Sequence, residues 1–77
     1  MDLIELCNEE SMGYVSDLIF RNEHIKEVHV PPHYEQMMRS LLPSHRDIAL
    51  YVNYWMPSYE IYLIDKMGRR RIMDFSD

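Results

Sequence analysis

The sequence predicts an α+β fold, with two helices packed on a three-stranded antiparallel β-meander in one small two-layer domain spanning residues 1–77. Three observations carry that prediction. In the first half of the chain apolar residues recur at the 3–4 spacing of helix faces. From Asp47 the pattern changes to runs of Ile, Val, Tyr and Trp broken by turn residues. The 77-residue chain is 47% hydrophobic, with two glycines and no low-complexity run, which suits one core and leaves room for no second.

Residues 2–7, DLIELC, are ambiguous between a backward extension of the first helix and an extended segment, because their alternation is not clean. The first helix is expected over residues 8–22. Asn8 can accept from an orphan N–H, and Glu9 and Glu10 suit the positive end of the helix dipole. Met12, Val15, Leu18 and Ile19 then form the apolar stripe, and Gly13 within it costs about 1 kcal/mol relative to alanine. Residues 25–30, IKEVHV, alternate weakly and read as an extended approach to Pro31–Pro32. Those prolines open a second helix over 32–42, carrying Tyr34, Met37, Met38, Leu41 and Leu42, and Pro43 stops it. Strands are expected over 47–55, 59–65 and 70–75. Asp65-Lys66-Met67-Gly68 is the hairpin turn between the last two, with Gly68 supplying a positive φ.

Five of the nine aromatic residues fall in residues 50–64. Alternation places Ile48, Leu50, Val52 and Tyr54 on one face of the first strand, and Tyr59, Ile61 and Leu63 on the same side of the second. The opposite face then carries Tyr51, Asn53, Trp55, Glu60 and Tyr62, where a solvated sheet would normally show Thr, Lys or Glu. Tyr and Trp on such a surface are the residue types that anchor protein interfaces. The competing reading is that the N-terminal residues or a second copy of the chain cover this face.

Charge is unevenly spread. The chain carries −5, of which residues 1–35 account for −6 and the remainder for +1. Glu5, Glu9, Glu10 and Asp17 lie in a first stretch of twenty residues that holds no base, so this end repels phosphate and favours a basic protein surface. A lone Cys7 forms no internal disulfide, no apolar run is long enough to span a membrane, and the acidic N-terminus is unlike a secretion signal, so a cytoplasmic location is expected.

Little points to chemistry. His24, His29 and His33 are near one another, but Pro31–Pro32 breaks the helical face that His29 and His33 would need to share, so no metal or other cofactor is expected. Carboxylates beside Cys7 raise rather than lower a thiol pKa, and no glycine-rich phosphate loop is present, so an enzyme is not expected. Arg69, Arg70 and Arg71 form the one basic cluster and support an alternative, a nucleic-acid-binding regulator that uses this hairpin.

The reading favoured by the residues is a protein-binding module that inhibits or modulates a larger protein with a basic surface, a nucleic-acid-handling protein being one candidate, with a homodimer as the self-satisfied version of the same surface. Tyr51, Trp55 and Tyr62 supply anchor area, and Glu5, Glu9, Glu10 and Asp17 steer the partner. In size, charge and composition, though in no motif, the chain resembles the small accessory proteins that phages and mobile elements encode, which implies action in a host cytoplasm.

Overall fold

A computed structural model describes residues 3–7 and 12–76. Residues 8–11, including the expected cap at Asn8 and the acids Glu9 and Glu10, lie outside the described residues, as does the side chain of Met12. The fold is α+β with two helices, as expected, but the sheet has five strands and is mixed. In chain order the elements are β1 (Leu3–Leu6), α1 (Met12–Arg21), β2 (Ile25–Val30), a 3-10 turn (Pro32–Tyr34) leading into α2 (Glu35–Leu41), β3 (Ala49–Val52), β4 (Glu60–Asp65) and β5 (Arg70–Asp74).

The strand order β1-β5-β4-β2-β3 corrects the expected three-stranded meander. Only β4 and β5 form a sequential antiparallel pair; β2 lies between β3 and β4. The reason is topological. β3 runs parallel to β2, and a parallel pair needs a crossover, which the turn and α2 provide. β4 then returns antiparallel on the far side of β2, and β1 joins β5 in parallel at the opposite edge.

Two segments without a strand assignment in the sequence reading are therefore strands, and each has a local reason for its poor alternation. In β2 the pairing slips at Lys26: Ile25 lies opposite Asp65, yet Glu27 lies opposite Ile64. That bulge lets Ile25 and Val28, three positions apart, face the same core. β1 is an edge strand in which Ile4 and Leu6 are exposed, so its apolar residues do not mark a single buried side.

Both helices contribute to one buried cluster. Val15 and Ile19 of α1 and Met38 of α2 meet Val28, Val30, Ile61, Leu63, Met73 and Phe75, with Leu50 and Val52 packed alongside. The helix ends follow from sequence. Pro32 opens the 3-10 turn, and Leu42, extended at ψ 134° ahead of Pro43, closes α2 with its N–H on the Met38 carbonyl. At the end of α1 the Arg46 guanidinium, from the α2–β3 loop, donates to the carbonyl oxygens of Ile19, Asn22 and Ile25.

The β4–β5 turn is as expected. Gly68 adopts φ +81° and donates its N–H to the Asp65 carbonyl at 2.9 Å, while Asp65 Oδ1 accepts the N–H groups of Met67 and Arg69. Strand β3 is shorter than the expected 47–55. It ends at Val52 because Asn53 turns the chain, its Oδ1 accepting the Trp55 N–H at 3.2 Å.

Candidate protein-binding face

With both helices on one side, the other side of the sheet is left to the alternate residues of each strand. The registers align one row across all five strands: Ile4 beside Ile72, Ile72 beside Tyr62, Tyr62 beside His29 and His29 beside Tyr51. The rings of His29 and Tyr51 lie 4.8 Å apart. Flanking rows hold Glu27, Ile64 and Arg70 on one side and Glu60 and Asp74 on the other.

The β3–β4 loop folds over one end of this row. Met56 is buried, and it lines a cavity of about 310 Å3 together with His29, Trp55, Tyr62, Ile64 and Arg70. Next to it, His29, Tyr51, Val52, Asn53, Tyr54 and Trp55 line a second hollow of about 210 Å3, and the two share His29, Asn53 and Trp55. Trp55 is 89% exposed and Tyr54 78% exposed. The strand ends before Tyr54, so Tyr54 belongs to this surface and not to the aliphatic face that alternation suggests; Trp55 stands beside the face on the loop, not on a strand.

Polar contacts order the face. The Tyr62 hydroxyl donates to Glu60 at 2.8 Å, the Arg70 guanidinium lies 4.9 Å from the centre of the Tyr62 ring, and His29 Nε2 is 3.1 Å from Glu27 Oε1. Tyr51, Trp55 and Tyr62 are thus brought together. Sequence reasoning missed His29, Met56 and Arg70 as members of the site. Their signal is the register, which places positions 29, 62 and 51 side by side and which no local pattern encodes.

The acidic residues proposed to steer a partner are not gathered on one helix. Glu5 sits on β1, accepts a hydrogen bond from the Tyr14 hydroxyl at 2.9 Å and pairs with Arg71 at 3.5 Å. Asp17 pairs with Arg21 along α1 at 3.0 Å, and Glu9 and Glu10 lie outside the described residues. The carboxylates that accompany the aromatic row are Glu27, Glu60 and Asp74.

The arginine cluster also divides. Arg69 folds onto Asp65 within the turn at 2.9 Å, Arg70 faces Tyr62 on the open side, and Arg71 reaches Glu5. The histidines separate as well: His33 packs on Tyr34, His45 meets the edge of Phe20, and His24 lines a cleft with Lys26 and Lys66. Among the described residues no group of three or more His, Cys, Asp or Glu is placed to hold a metal ion, and no helix is long and apolar enough to cross a membrane. Cys7 is buried with its N–H on the Asp74 carbonyl; burial first, and then the charges of Glu5 and Asp74, push its thiol pKa up. No family model, curated protein or solved structure matches the chain.

Proposed function

We propose that this protein is a small binding module that presents the open side of its sheet, with the β3–β4 loop, to a larger protein and inhibits or modulates it, in the manner of the small accessory proteins of phages and mobile elements acting in a host cytoplasm. The observation that carries the reading is the row Tyr62–His29–Tyr51 continued by the exposed Tyr54 and Trp55. That much aromatic area at one site has the composition of an interface anchor.

A protein partner is favoured over nucleic acid by the charges on the face. Glu27, Glu60 and Asp74 accompany the aromatics, with Arg70 as the cation beside them, and such a surface repels a phosphate chain. Steering by an acidic helix is replaced by steering from these carboxylates, together with the −5 net charge.

The test is capture from a host lysate with the wild-type chain and with the Tyr51→Ala/Trp55→Ala variant as baits. A partner held by the first and lost by the second, with the variant's circular dichroism unchanged, supports the reading. Equal capture by both removes the face from the binding role. Light scattering over a concentration series runs alongside, since a stable dimer that masks Trp55 assigns the face to a second copy of the chain.

A further inference from the structure

We propose that the hollow between Tyr51, Tyr54, Trp55 and His29 receives one cationic side chain, an arginine or lysine of the partner. This rests on the binding role proposed above and names the chemistry that the face recognises.

The first support lies within the molecule. Beside the hollow, Tyr62 carries a guanidinium, that of Arg70, 4.9 Å from its ring centre, and the same Tyr62 hydroxyl is held by Glu60. An aromatic ring backed by a carboxylate is thus already occupied by an arginine of this chain. In the neighbouring hollow the Tyr51 ring lies against His29, which Glu27 holds at 3.1 Å, and among the described residues no lysine or arginine lines it.

The second support is chemical. Trp and Tyr faces attract cations through their ring quadrupoles, tryptophan most strongly, and this hollow gathers one Trp and two Tyr. Val52, His29 and Asn53 complete its lining, and Glu27 touches it only through His29, so a cationic head group entering there meets the aromatic side chains first. At about 210 Å3 the space suits one side-chain head with its adjoining methylenes, not a helix or strand. An aliphatic anchor would match the rings in shape but would gain nothing from their quadrupoles.

The probe is N-acetyl-arginine amide, with N-acetyl-norleucine amide as the apolar control, titrated at matched ionic strength. The readouts are Trp55 fluorescence and the ring signals of Tyr51, Tyr54 and Trp55 in NMR spectra. Saturable binding of the arginine probe is expected, with half-saturation on the order of 10 mM, and a weaker response to norleucine. Trp55→Leu should weaken it by about fivefold, while Trp55→Phe, which keeps a ring, should restore part of the loss. Equal or tighter binding of norleucine, equal effects of Leu and Phe at position 55, or no saturation by the arginine probe would each overturn the proposal. If the probe fails while Tyr51→Ala/Trp55→Ala still abolishes partner capture, the cationic anchor falls and the binding face stands; if capture also survives, both fall.

Discussion

The Arg46 guanidinium lies 2.7 Å from the main-chain oxygen of Asn22, joining the α2–β3 loop to the end of α1. The same group donates to the carbonyls of Ile19 and Ile25, so one cation ties the last turn of the helix to the start of β2, where the Asn22 oxygen also accepts the Ile25 N–H. Arg46→Ala should therefore lower stability by about 2–3 kcal/mol in urea unfolding. Arg46→Lys should recover less than half of that, because an ammonium lacks the planar fork that spans several carbonyls. A loss under about 0.5 kcal/mol, the level of an ordinary surface substitution, would mean the loop is held by something else.

The turn between β4 and β5 depends on backbone conformation and not on space. Gly68 has φ +81°, yet nothing lies within 4 Å of the position a Cβ would take. Gly68→Ala should cost about 1–2 kcal/mol from the left-handed conformation alone. Gly13 has equal room and no positive φ, so Gly13→Ala should be neutral or stabilising in the same unfolding assay.

Asp65 gives that turn a pH dependence. Burial pushes its carboxyl up, but the N–H groups of Arg69 and Met67 and the Arg69 guanidinium outweigh that and hold it below the usual carboxylate range. A depressed pKa contributes stability in full above the unfolded value of about 3.9, and that contribution is lost as pH falls through the lower folded value. Asp65→Asn keeps an oxygen for the two N–H groups and removes the charge. It should be less stable than the wild type at pH 7, with the gap closing toward pH 2. A gap that is constant with pH would show that the charge plays no part.

These cases also show which features could be read from the sequence. The Asp65–Gly68 turn was legible because it is decided by four adjacent residues. α2 was legible because Pro32, Met38 and Pro43 act locally. β2 was not: its bulge at Lys26 spoils the alternation, and its place between β3 and β4 depends on residues far apart in the chain. The aromatic concentration was visible, and Tyr51 and Tyr62 fall on the face that alternation assigned. Tyr54 was put on the wrong side because Asn53 ends the strand one residue earlier, and His29 entered the site only through register. Arg46 left no signal, since its partners are main-chain carbonyls.

The open face and the core should respond oppositely to truncation. Ile61 is fully buried in the centre of the sheet, so Ile61→Ala should cost about 2–5 kcal/mol. Trp55 is 89% exposed, so Trp55→Ala should change stability by no more than about 0.5 kcal/mol. In the wild-type monomer, Trp55 emission should be red-shifted and readily quenched by acrylamide. A blue-shifted, protected tryptophan at low protein concentration would contradict the placement of the β3–β4 loop.

Cys7 reports on the edge where β1 meets β5. Its N–H is bonded to Asp74, and its buried thiol has a raised pKa, caused first by desolvation and then by Glu5 and Asp74. A raised pKa favours the neutral form in the folded state. Its contribution to stability is intact below the unfolded thiol value of about 8.5 and is lost as pH rises through the higher folded value. Wild-type protein should therefore lose stability relative to Cys7→Ala between pH 8 and pH 10, and a thiol reagent at pH 8 should modify the folded chain far more slowly than the urea-unfolded one. Comparison with Cys7→Ala isolates the thiol from Tyr14, whose hydroxyl pKa is also raised, mainly by its hydrogen bond to the Glu5 carboxylate. Labelling as fast in the folded as in the unfolded protein would place Cys7 in water, and the pairing of β1 with β5 would have to be given up.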